Sequence, residues 1–467
     1  MTIDILPDDV LLEIFDHYVA EAYEDDEYEE WQILVHVCQK WRYVVLQSPL
    51  RLNLRIFCST GTRVREKLAL WPPFPIVIQQ YVSQTSKSDE DNIIAALGHN
   101  DRVCQIHLNI PSWMVERIIA AMQKTFVMLK HLSFYARDDS DTTPVVSDSF
   151  LGGSAPHLRH LWLNIRFTFP VLRKLLLSAA NLTSLSIRRI HHSSYFSPEA
   201  LVTCLSTLTR LKVLRIGFKS PRSHPPRERR HPPPTRSVLC ALTELAFIGP
   251  SEYLEDLVSR IDAPLLDYLC IVFFHQLIFD TPRFVQFISR TPKFKVFDEA
   301  LVIFSDSRAS IRIRGRDCLG LWLHNLCKQS DWQLSFMAQV CTSFFPQDLI
   351  PMPGHLYILD HTYRRPLWQD DVEDDQWLEL LHPFTAVKNL YLSREFVPRI
   401  APTLRRLVGE RVTEVLPNLE NILVEDFHES GSVPEVMQQF IAARQLSSHP
   451  IATSHWIKKD GWSMFGP

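Results

Sequence analysis

The sequence predicts an α/β chain in which a short all-helical N-terminal segment, residues 1–56, precedes a curved solenoid of strand–helix repeats over residues 57–467. Three observations carry that prediction. Two apolar stripes at helical spacing lie within the first fifty residues. The pattern apolar-x-x-apolar-x-apolar then returns at intervals of 26, 29, 24, 29, 31, 24 and 28 residues. Proline stands two positions ahead of several of these units, where it suits a strand entrance and ends whatever precedes it.

The first helix is expected from Pro7, whose missing N–H costs nothing in an opening turn, with Asp8 and Asp9 at the positive end of the helix dipole. Val10, Leu11, Ile14, Phe15 and Tyr18 then recur at spacings of three and four, giving one apolar stripe. Ile33, Leu34, Val37, Cys38, Trp41, Val44 and Val45 repeat the period, with Gln39, Lys40 and Arg42 on the other face, until Pro49 forbids continuation. Two short helices result. Between them, seven of the ten residues from Glu21 to Glu30 are acidic, which reads as a solvated surface insertion. A unit of this size is too small for a self-sufficient core, so part of its apolar surface needs a partner.

The order Leu6-Pro7, apolar helix, Val37-Cys38-Gln39-Lys40-Trp41-Arg42 resembles an F-box. That resemblance implies docking on the small adaptor subunit of Skp-cullin-F-box ubiquitin ligases, and through it on cullin. It points to Leu6, Pro7, Val10, Ile14, Phe15, Val37, Cys38 and Trp41 as the adaptor-binding residues. The long acidic insertion departs from the family pattern.

After an alternating stretch (Leu50, Leu52, Leu54, Ile56), repeat units start at Val103, Leu129, Leu158, Leu182, Leu211, Leu242, Leu266 and Phe294. The mean interval of about 27 falls in the range of roughly 20–29 residues expected of leucine-rich repeats. The prolines are Pro156, Pro264, Pro292, Pro402 and Pro417. Helical stretches at 113–129, 171–180, 197–208 and 284–289 supply the second layer of each unit. In Leu158-Arg-His-Leu161-Trp-Leu163 and Leu211-Lys-Val-Leu214-Arg-Ile216, alternation turns the third and fifth residues outward, to form a concave binding face. The asparagine of the standard repeat is missing: Arg166, Ile190, Lys219 and Pro250 stand in its place.

From Ser305 to Phe345 the period is lost, with a strand over Ser310 to Arg314 and a helix over Gly320 to Cys327. It resumes at Leu356, Val387 and Leu419, and a helix from Val433 to Arg444 closes the array, residues after Ser447 forming a tail. The combination resembles F-box proteins with leucine-rich-like repeats, abundant in mushroom-forming fungi.

Lys219 to Arg236 holds six prolines and five arginines and reads as a loop, with nuclear import or an acidic partner as its possible uses. Asp370, Asp371, Glu373, Asp374 and Asp375 mark an acidic linker between Trp368 and Trp377. The net charge of −4 is too near balance for a general grip on nucleic acid or an anionic membrane. No apolar run is long enough to cross a bilayer, and the start lacks a signal core, so an intracellular location, cytoplasmic or nuclear, is expected. Nine scattered cysteines read as reduced core residues.

With 13 glycines and no phosphate-cradling loop, nucleophile elbow or paired metal-ligand motif, neither a catalytic residue, a metal nor a cofactor is expected. His107 and His160 read as ordinary strand histidines. Arg159, Arg188, Arg189 and Arg215 are candidates for a phosphate-binding cluster. The expected function is a non-catalytic substrate receptor that holds an unknown target protein near the ubiquitin-transfer machinery. The alternative is a scaffold that uses the same adaptor outside any ligase.

Overall fold

The computed structural model describes residues 6–21, 31–49, 51–59, 63–80, 86–137, 146–191, 194–220, 235–295, 297–315, 318–327, 330–345, 353–361, 374–407, 409–425 and 435–456. The acidic insertion beyond Glu21, most of the proline- and arginine-rich stretch, and residues 370–373 lie outside them. The chain forms two compact units, Met1–Phe196 and Ser197–Pro467. The helical segment and the first repeats therefore belong to the same unit.

The first unit opens with α1 (Asp8–Glu21), α2 (Trp31–Val37) and α3 (Gln39–Gln47). Repeats follow: β1 (Ile56–Cys58), α4 (Val64–Leu70), β2 (Ile76–Gln80), α5 (Lys87–Leu97), β3 (Val103–Ile110), α6 (Ser112–Ala121), β4 (His131–Ala136), β5 (His160–Asn164), α7 (Phe169–Ser178) and β6 (Ser184–Ile190). Consecutive strands from β1 to β6 pair in parallel. Parallel neighbours need a crossover, and the helices supply it.

The second unit holds α8 (Pro198–Leu205), β7 (Val213–Phe218), β8 (Ser237–Val238), β9 (Glu244–Ile248), α9 (Ser251–Ser259), β10 (Ile261–Asp262), β11 (Tyr268–Phe274), α10 (Pro282–Arg290), β12 (Glu299–Ser305), β13 (Arg308–Gly315), β14 (Cys318–Leu326) and α11 (Ser330–Phe344). It continues with β15 (His355–Asp360), α12 (Asp374–Leu381), β16 (Asn389–Leu392), α13 (Val397–Arg405), β17 (Asn421–Glu425), α14 (Glu435–Leu446) and β18 (Ala452–Trp456). The ladder runs β7-β9-β11-β14-β13-β12-β15-β16-β17-β18, and β8 pairs only with β10. Among the described residues of this unit, every pairing is parallel except β12 with β13 and β13 with β14. This is the expected α/β architecture of strand–helix repeats.

Six of the eight expected repeat starts are buried anchors two residues ahead of a strand, and Val103 is the first residue of β3. Leu129, Leu158, Leu182, Leu211, Leu242 and Leu266 are all fully buried, and the fourth and sixth positions, such as Leu161 with Leu163 and Leu214 with Ile216, form the core face of the strands. Helix faces such as Val171, Leu172, Leu175 and Leu176 cover them. Burying each such side chain contributes about 1.5–3 kcal/mol. Asparagines at other positions, Asn100, Asn181 and Asn418, donate Nδ2 to the carbonyls of Thr125, Pro156 and Thr385, each linking one repeat to the next.

Several expectations need correction. The second apolar stripe is two helices, because Cys38 takes an extended conformation (φ −156°) and its Sγ accepts the Trp41 N–H at 3.4 Å, capping α3. Where the sequence predicts a helix over Gly320 to Cys327, residues 320–326 lie in strand β14, since Leu321 and Leu323 face the core while Trp322 and His324 turn out between Ser310–Arg312 and Cys270–Val272. A short apolar run does not by itself distinguish the two. Phe294 lies in a 3₁₀ turn before β12, and Pro402 lies inside α13. Asp374 and Asp375 open α12, where acids suit the helix dipole, and Trp377 is buried on it. Residues after Ser447 are not all tail: β18 pairs in parallel with β17.

Candidate functional site

In α1 the apolar residues divide between two faces. Leu11, Leu12 and Phe15 are buried, whereas Val10, Ile14 and Tyr18, spaced by four, are 41%, 44% and 40% exposed. Phe15 packs edge-on against Trp41 with ring centroids 4.8 Å apart. Lys40 crosses back to the start of α1, donating to the Leu6 carbonyl at 2.6 Å and lying 3.7 Å from Asp8, and the Pro7 carbonyl accepts the Leu11 N–H. The Leu6-Pro7 start and the Cys38–Trp41 turn are thus fastened together.

On α2, Trp31, Leu34 and Val35 point inward, and Ile33 and Val37 are exposed. Trp31 donates its indole N–H to the Arg55 carbonyl at 3.0 Å and meets Trp71 and Phe74 edge-on, which seats α2 on the first repeats. Of the eight adaptor-binding candidates, Val10, Ile14 and Val37 present apolar surface to solvent. Phe15 is core, Cys38 is a helix cap, Trp41 is half-buried, and Leu6 and Pro7 hold the start of α1.

The second surface is the outward side of the strands. Register aligns Gln105, His131, His160 and Ser184 in one row across β3–β6, and His107, Ser133, Trp162 and Ser186 in the next. The His131 and His160 rings stack at 4.4 Å with 9° between their planes, and His107 lies 6.5 Å from His131. Burial, then the neighbouring His160, His107, Arg55 and Arg159 charges, push His131 down to about 4. Burial also lowers His107 and His160. At neutral pH the ladder is uncharged. His107, Asn109, His131, Tyr135, His160 and Trp162 line a cavity of about 420 Å³ on this face.

Sequence reasoning passed over this ladder. Its signal was positional: His131, His160 and Ser184 each stand two residues after a repeat-start leucine, at Leu129, Leu158 and Leu182. The candidate phosphate-binding arginines are divided between the units, with Arg159, Arg188 and Arg189 in the first and Arg215 in the second. Arg215 is held by Glu244 at 2.6 Å, so its charge is already met, while Arg159 is exposed at the edge of the histidine ladder.

In the second unit the outward face carries an apolar group. Tyr357 and Tyr391 stack at 4.1 Å, Trp456 meets both edge-on, and Leu301, Leu359 and Ile303 surround them. Beside it the Arg312 guanidinium lies 3.8 Å over the Trp322 ring. Among the described residues no group of histidine, cysteine and carboxylate side chains is arranged to hold a metal, and no helix is long and apolar enough to cross a membrane.

No protein-family model matches the sequence, and no curated protein matches it. Among solved structures, the leucine-rich repeat-containing protein LegL7 from Legionella pneumophila is 14% identical, with a TM-score of 0.30 over 85% of this chain and 99% of that one. The Rad7 and Elc1 complex in yeast offers a chain 13% identical, with a TM-score of 0.28 over 94% of each. The repeat architecture rests on the strand registers, not on these overlaps.

Proposed function

We propose that this protein is the non-catalytic substrate-receptor subunit of a Skp-cullin-F-box ubiquitin ligase. The exposed faces of α1 and α2 dock on a Skp-type adaptor, and the outward strand faces bind a target protein. The observation that supports this reading best is the divided α1. A helix that served only its own chain's core would be expected to bury its apolar stripe, yet here Val10, Ile14 and Tyr18 remain in solvent beside a motif that resembles an F-box. The segment does not need those side chains for its own core, so a partner is what they serve.

Function then follows from proximity. Holding a target near the ubiquitin-transfer enzyme turns an encounter of free molecules into an effectively intramolecular one, and no chemistry is required of this chain. The test is a pull-down of the full chain on purified adaptor, with Val10→Glu/Ile14→Glu/Val37→Glu as the variant. The variant is expected to lose adaptor binding and keep its melting temperature, because all three side chains are exposed. Unchanged adaptor binding would overturn the reading, and co-purification of cullin separates a ligase subunit from a scaffold.

A further inference from the structure

The outward face of β2–β6 has a charge pattern that the face of the second unit lacks. Its outward positions, among them Gln79, Gln105, Asn109, Ser133, Asn164 and Arg188, include no carboxylate. The second unit's outward positions include Glu244, Glu299 and Glu425. Around the histidine ladder, Arg55 and Arg159 stand close enough to act on His131, and Lys130 on the neighbouring Cys104. None of these three cations is in an ion pair among the described residues.

We propose that the face of β3–β5 is a docking site for an acidic peptide segment. An aromatic or apolar side chain of that segment fills the cavity against Trp162 and Tyr135, and flanking carboxylates lie against Arg55, Arg159 and the imidazole edges. The argument is charge complementarity. A cleft lined by His107, Asn109, His131, Ser133, Tyr135, His160 and Trp162, with Arg55 and Arg159 close by and no carboxylate at the outward strand positions of β2–β6, attracts anions. The neutral ladder adds proton linkage: a carboxylate placed on His131 favours the imidazolium, so a proton is taken up on binding and affinity rises as pH falls. The groups that face His131 are His107, His160, Arg55 and Arg159, of which the histidines and the arginines all oppose its protonation until an anion arrives.

The inference rests on the receptor reading only in taking the ligand to be protein. Fluorescence anisotropy of the full chain tests it, with a labelled peptide of alternating glutamate and phenylalanine and a control in which glutamine replaces glutamate. The acidic peptide should bind about tenfold more tightly than the control, a difference of about 1.4 kcal/mol. Its affinity should increase between about pH 7.5 and about pH 5.5, and Arg159→Glu should erase the preference. Arg159 is exposed, so that variant keeps the fold, and a melting curve checks it. Equal affinity for the two peptides, no binding of either, or a preference that survives Arg159→Glu would overturn the proposal. The same Arg159→Glu protein should still bind adaptor, so a failure here is separable from a failure of the docking reading.

Discussion

At the scale of single residues, the folded chain depends on polar side chains that complete a neighbour's backbone. Glu255 on α9 accepts the N–H groups of Arg283 at 3.1 Å and Phe284 at 2.7 Å, which are free donors in the first turn of α10. Thr281, the residue before that helix, makes no side-chain cap. Glu255→Ala is therefore expected to cost roughly 1–2 kcal/mol, measured by denaturant unfolding, and Glu255→Gln less, because its amide oxygen still accepts. Arg444 does similar work from α14, donating to the carbonyls of Val415 and Leu416 at 3.0 and 2.7 Å. Such pairings were not legible in the sequence: Glu255 and Arg283 are separated by a whole repeat, and nothing local marks them as partners.

At the scale of elements, what was legible was whatever repeats. The leucine anchors, the alternation after them and the helices between follow from local periodicity, and the strands stand where those anchors require. The N-terminal helices were legible for the same reason, but the division of α1 into buried Phe15 and exposed Ile14 was not, since one stripe holds both and only the packing partner decides. Prediction failed where one repeat opens into β12, β13 and β14, because two antiparallel reversals replace a helix and remove the period. Gly320 marks this departure. Its φ is +102°, and a Cβ there would stand 2.4 Å from the Ile313 carbonyl oxygen, beside the register shift between Ile313 and Gly315. Gly320→Ala should destabilise the second unit by at least about 1–3 kcal/mol in calorimetry or denaturant titration.

At the scale of the whole molecule, the two units share a dependence on pH. His131 in the first and His324 in the second are both held near about 4, in each case mainly by burial. Their folded-state values lie below the ordinary value of 6.5, so the unfolded chain binds more protons as pH falls. The stability they permit is present above about pH 6.5 and declines toward about pH 4. Melting temperature is expected to fall across that window, and His131→Gln/His324→Gln should flatten the decline. A different consequence follows from the β12–β13–β14 reversal. Every parallel pairing in this chain must wait for a crossover to close, but these three strands are joined by residues 306–307 and 316–317 alone. Their chain-closure entropy is small, so this meander holds the shortest-range strand pairings of the second unit and should form in its folding transition state. Refolding kinetics would show it: Ile311→Val should slow folding, while Leu390→Ala on the parallel strand β16 should mainly speed unfolding. The place where the repeat breaks is thus the place where folding of the second unit is expected to begin.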